Sequence, residues 1–138
     1  MKVKRWMTLD PFVLVADQPI KVAVQQQVEN RIRHMPVVRD NELVGILTDR
    51  DLKRALPSVM AGATPEEYRA FMERTLVSEV MTPNPVTCEP ETDLCDAVRI
   101  FVEQKFGAIP VVENGRVVAI LCQTDALRAL LNLLEGST

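Results

Sequence analysis

The chain has 138 residues, room for one compact domain or two very small ones, and its apolar content of 47% can fill a continuous core, which excludes a disordered chain. A net charge of -3 gives no broad attraction to phosphate backbones or acidic membranes, so neither nucleic acid nor membrane is an expected partner. Cys88, Cys95 and Cys122 are odd in number and lack CxxC spacing, and no apolar run approaches the ~20 residues that cross a bilayer, so a soluble, cytoplasmic protein with reduced, buried thiols is expected.

In chain order, residues 12 to 15 follow Pro11 and read as a short extended piece. Pro19 to Asn30 carries Ile20, Ala23, Val24 and Val28 at helical spacing. The run MPVVRDNELVGIL, residues 35 to 47, is broken by a polar turn and reads as two strands; TDRDLKRAL, residues 48 to 56, reads as a second helix. Loop chemistry follows, and then Thr64, Pro65 and Glu67 supply an N-cap, a first-position proline and a third-position acid, which predicts a linker helix. Its stripe of Tyr68, Phe71, Met72 and Leu76 suits packing against the parent module or against a second copy. From Met81 the order returns. Residues 86 to 89 read as extended, and Asp93 to Gln104 as a helix with Thr92 at its N-cap. IPVVENGRVVAIL, residues 109 to 121, reads as a hairpin turning at Asn114-Gly115, and TDALRALLNLL, residues 124 to 134, as a final helix.

The return is a repeat. A shift of 74 residues aligns Met7–Leu56 with Met81–Leu130 without a gap, and 17 of the 50 pairs are identical. The matches include Met7-Thr8 with Met81-Thr82, the two PVV runs, and Asp51 with Asp125. Each copy is β-α-β-β-α, too small to be stable alone, so the two are expected to cover one another as a single module. The expected divisions are 1–60 for the first repeat, 61–77 for the linker and its helix, and 78–138 for the second repeat.

The segments WMTLDPF, RIRHMPVV and LVGILTDRDL, with VMTPNPV, KFGAIPVV and VVAILCQTDAL, resemble tandem CBS domains, the pair called a Bateman module. The spacer is further similar to small bacterial CBS-pair proteins grouped with acetoin utilisation. The resemblance implies an α/β (α+β) fold of two repeats about a pseudo two-fold axis. It also implies two clefts for adenosine-containing ligands: AMP, ADP, ATP or S-adenosylmethionine.

A carboxylate on the first turn of a helix can accept from both ribose hydroxyls, a threonine three residues earlier can add a bond, and a glycine allows close approach; Asp51, Thr48 and Gly45 fit these roles. Thr48 and Asp51 would equally serve as a plain helix cap. By the resemblance, the Thr48 and Asp51 site faces Gly107 and Ala108, which carry no charge. The Asp125 site faces Arg33 and His34 with Arg50 nearby, and has Cys122 where a hydroxyl is usual and Ala119 where glycine is usual. Arg33, His34 and Arg50 also read as ordinary solvated charges, and His34 lacks a metal partner.

No nucleophile with a base, phosphate loop or metal cluster is legible, so the chain is not expected to be an enzyme or to require a cofactor or metal. The expected function is ligand sensing read out by an unidentified regulated protein or by self-association; the alternative is a ligand-free structural or dimerisation module. Apolar Leu52, Leu56, Leu127, Leu130, Leu131 and Leu134 are expected to remain on the surface and to form a homodimer, as helices do in the disc-like dimers of similar CBS pairs.

Overall fold

The computed structural model describes residues 1–136. In chain order the elements are β1 (Thr8–Leu9), β2 (Leu14–Val15), α1 (Lys21–Asn30), β3 (His34–Arg39), β4 (Glu42–Thr48), α2 (Asp49–Ala55), α3 (Pro65–Arg74), α4 (Val77–Val80), β5 (Thr82–Pro83), α5 (Leu94–Gln104), β6 (Ala108–Glu113), β7 (Arg116–Cys122) and α6 (Gln123–Leu134). This is a mixed α/β chain of two repeats. The first extended piece is a strand in the first copy; in the second it shrinks to the single parallel bridge Cys88 to Val111.

The chain forms two compact units, Phe12–Asn84, and Met1–Pro11 together with the chain from Pro85 onward. In the first unit the sheet order is β2-β3-β4-β5, with β2 parallel to β3 and the other pairs antiparallel. Its core holds Leu14, Ile20, Ala23, Met35, Val37, Leu47, Leu52 and Val77. In the other unit the order is β1-β7-β6, all antiparallel, around Val3, Leu94, Ala97, Phe101, Ile109, Val111, Leu121 and Ala129. The strand preceding the final helix of each copy buries three successive residues, Gly45-Ile46-Leu47 and Ala119-Ile120-Leu121, because both of its faces are covered.

The repeat extends to backbone conformation. Among the described residues, those with positive φ fall in five pairs at the same spacing: Asp10 with Asn84, Arg31 with Lys105, Asp40 with Asn114, Asn41 with Gly115, and Gly62 with Gly136. Arg31 and Lys105 terminate α1 and α5 in the left-handed form that satisfies the last carbonyls. Asp40-Asn41 and Asn114-Gly115 carry positive φ at both turn positions, as a tight hairpin with right-twisted strands requires. Asp and Asn tolerate this conformation through local side-chain hydrogen bonding.

The leading arms of the copies are exchanged. Val3 N donates to Thr92 O, Lys4 N to Pro90 O, and Leu94 N to Met1 O. The equivalent bonds, Val77 N to Gln18 O, Ser78 N to Ala16 O, and Ile20 N to Thr75 O, tie the arm that leads the second copy to the body of the first. β1 then pairs with β7, and β5 with β4.

Several local expectations are corrected. The N-cap of α5 is Asp93, and Thr92 Oγ1 instead accepts from Glu89 N at 2.9 Å. Cys88 is buried, but Cys95 is exposed on the outer face of α5. Leu52 is 1% exposed, and Leu56 packs against the same core. Thr48, Leu52 and Leu56 lie four apart, and since Thr48 belongs to the sheet, that face of α2 turns inward. Leu127, Leu130, Leu131 and Leu134 are exposed as expected, and Leu133 joins them, because α6 turns Asp125 and Ala129 inward. The linker helix α3 is capped by Thr64, which accepts from Glu67 N at 3.1 Å, and its Phe71 and Met72 pack against the core of the Phe12–Asn84 unit.

Candidate ligand site

The equivalent motifs lie where a buried strand passes into a helix, β4 into α2 and β7 into α6. A helix start leaves amides unpaired, and the first-turn acid answers this in both copies. Asp51 Oδ2 accepts from Thr48 N at 3.0 Å while Thr48 Oγ1 accepts from Asp51 N at 3.1 Å. In the second copy Asp125 Oδ2 accepts from Cys122 N at 2.8 Å.

Each carboxylate has a further partner from the exchanged arm. Thr82 Oγ1 donates to Asp51 Oδ1 at 3.1 Å, and Thr8 Oγ1 lies 3.2 Å from both oxygens of Asp125. Thr8 and Thr82 were absent from the residues expected at the site; their signal was the matched Met-Thr pair that opens both copies. Asp125 also accepts from Arg128 Nη1 at 2.8 Å. Asp51 is half-buried, whereas Asp125 is 2% exposed.

Gly45 is buried opposite Pro83. A side chain there would collide with Met81 and would come within 3.0 Å of Thr82 O. The glycine thus admits the exchanged arm beside β4. Ala119 holds the equivalent place opposite Leu9, where β1 leaves room for a methyl.

Arg33 and His34 lie at the same end of their sheet as Thr48. His34 is the register partner of Thr48, and Asp49 N donates to Arg33 O at 3.0 Å. Burial holds the His34 imidazole below its ordinary pKa of 6.5; Asp49 opposes this and Arg33 adds to it. Arg33 and Arg50 are exposed. In the second copy Ala108 pairs with Cys122, and Gln123 N donates to Gly107 O at 3.1 Å, so the same sheet end has no charge from its strand. Burial first, and then Asp125, pushes the Cys122 thiol up to about 11. Among the described residues no group of three His, Cys, Asp or Glu side chains is placed to hold a metal, and no helix is long and apolar enough to cross a membrane.

The CBS domain family model matches residues 3–58 and 77–132. The chain therefore belongs to the CBS domain family and carries a tandem pair. It is 32% identical to a CBS domain-containing protein of Dictyostelium discoideum, over 96% of this chain and 93% of that one. It is also 32% identical to the chloroplastic CBSX1 of Arabidopsis thaliana, over 90% of this chain but only 61% of the relative's length. Among solved structures, Arabidopsis CBSX2 in complex with AMP superposes with a TM-score of 0.81 at 30% identity, covering 95% of this chain and 97% of that one. An AcuB-type acetoin utilization protein of Vibrio cholerae gives 0.78 at 28% identity, covering 98% and 93%.

Proposed function

We propose that the chain is a regulatory module that senses an adenosine-containing ligand, AMP, ADP, ATP or S-adenosylmethionine, and is not a catalyst. The observation that carries this reading is the half-buried Asp51 carboxylate at the start of α2, aligned by Thr48 and Thr82, in a chain whose relative CBSX2 binds AMP. Ionised, such a carboxylate can accept from two neighbouring hydroxyls of a ribose. Gly45, Thr48 and Asp51 form one ribose locus, and Cys122 and Asp125 the other. Arg33, His34 and Arg50 are the candidate phosphate partners. Binding shifts a conformational or self-association equilibrium by the difference in affinity between its states, and a regulated partner protein reads that shift. The unpaired thiols suit a reducing compartment such as the cytoplasm.

The exposed leucines of α6 favour a second reading, a homodimerising module without ligand. Calorimetric titration with the four ligands, alongside sedimentation of the free chain, separates the two. Heat with at least one ligand, lost in Asp51→Ala, supports sensing. No heat and no melting shift with any of them, in a chain that sediments as a dimer, supports the second reading.

A further inference from the structure

Resting on the ligand-sensing reading, we infer that the two carboxylates are inequivalent: Thr8 and Arg128 hold Asp125 as a closed latch, while Asp51 remains open to the paired hydroxyls of a ligand. A carboxylate offers about four acceptor positions, two on each oxygen. At Asp125 three donors engage the two oxygens, against two donors at Asp51. Oδ1 accepts from Arg128 Nη1 and Thr8 Oγ1, and Oδ2 from Cys122 N and Thr8 Oγ1, with the threonine hydroxyl shared. At Asp51 one position on each oxygen is used, Oδ1 by Thr82 and Oδ2 by Thr48 N.

Access differs in the same direction, since Asp125 is 2% exposed and Asp51 is half-buried. The asymmetry is not one of residue type at the arginine. Arg54 occupies the place of Arg128 in the first copy, yet among the described residues only Arg128 forms the ion pair. A diol entering at Asp125 must displace charge-assisted bonds to a buried carboxylate, whereas at Asp51 it meets free acceptor positions. Arg128 is itself 66% exposed at its side chain, so once displaced it is hydrated at little cost, and the latch can be released.

The test is calorimetric titration of the full-length chain with AMP. One AMP per chain is expected, lost in Asp51→Asn. Arg128→Gln, alone or with Thr8→Val, should reveal a second site or tighten it by roughly three- to thirtyfold. Two equal sites in the unaltered chain, a single site lost in Asp125→Asn, or unchanged binding in Arg128→Gln overturns the inference. A ligand-free arm separates its failure from failure of the sensing reading, which complete absence of AMP binding would indicate. Double-mutant cycles in thermal melting, Thr8→Val with Asp125→Asn and Thr82→Val with Asp51→Asn, should show stronger coupling at Asp125, on the order of a few degrees. Equal coupling overturns the latch.

Discussion

Thr8 and Asp125 stand 117 positions apart in the chain, and the threonine hydroxyl lies 3.2 Å from both carboxylate oxygens. The same arm inserts Val3, fully buried, into the core around Phe101 and Leu121, and adds β1 to the edge of β7. A variant lacking residues 1–9 should therefore loosen the second repeat selectively. In hydrogen exchange, amides of residues 109–121 are expected to lose protection while those of 35–47 keep theirs. Equal loss in both, or none, would contradict this assignment of the arm.

Gly45→Ala should destabilise the chain by about 1–3 kcal/mol, because the new methyl meets Met81 and the Thr82 carbonyl, and a backbone oxygen yields only if β5 moves. Denaturant midpoints measure the loss. Ala119→Gly, in the roomier copy, should cost about 0.5–1 kcal/mol, from the added freedom of the unfolded chain. A Gly45→Ala variant as stable as the parent would show that the β4–β5 approach is slack.

His34 gives a pH dependence of definite sign. Its folded pKa lies below the unfolded value of about 6.5, so below that pH the unfolded chain binds the additional proton. The stability linked to His34 is present above pH 6.5 and declines as pH falls from there toward the folded pKa. Urea midpoints between pH 5 and 7.5 should fall less steeply on acidification in His34→Gln than in the parent. Identical profiles would mean that the imidazole is solvated.

Thiol labelling should proceed in order of exposure and thiolate content. Cys95 is exposed, whereas burial pushes both Cys88 and Cys122 up to about 11. At pH 7.5 a small maleimide should add once quickly, at Cys95, and Cys95→Ser should remove the fast phase. Rapid addition at Cys88 would show that the core of its unit opens readily.

Among ligands, Arg33→Ala should weaken AMP, ADP and ATP by roughly ten- to a hundredfold and leave adenosine almost unchanged, if the guanidinium meets phosphate. Titrations of all four compare the two losses directly. Equal weakening of adenosine and ATP would remove Arg33 from the phosphate assignment.

Features with a strong local cause were legible in the sequence. Thr64-Pro65 with Glu67 marked the start of α3, and Asn114-Gly115 marked the second hairpin, because caps and tight turns demand particular residue types at fixed spacing. The Thr48 and Asp51 pairing followed from the same logic. What escaped notice depends on tertiary placement. β1 and β5 are two residues long and carry no periodicity, so their exchange, and with it the hydroxyls of Thr8 and Thr82, had only the repeated Met-Thr as a signal. Leu52 read as surface because helical spacing marks an apolar face but not the direction it points; the anchoring of Thr48 in the sheet decides that.

The exchanged arms give the chain an order of dependence that its duplicated text conceals. A cut at the boundary between the copies would part Thr82 from the carboxylate it serves and Val77 from the core it completes, leaving each half with an arm cut for its sibling. β1 lies against β7 and β5 against β4, so each copy completes the sheet of the other. Gly45 and Ala119 differ at the seam where a borrowed strand meets its host, and the room each strand leaves differs with them.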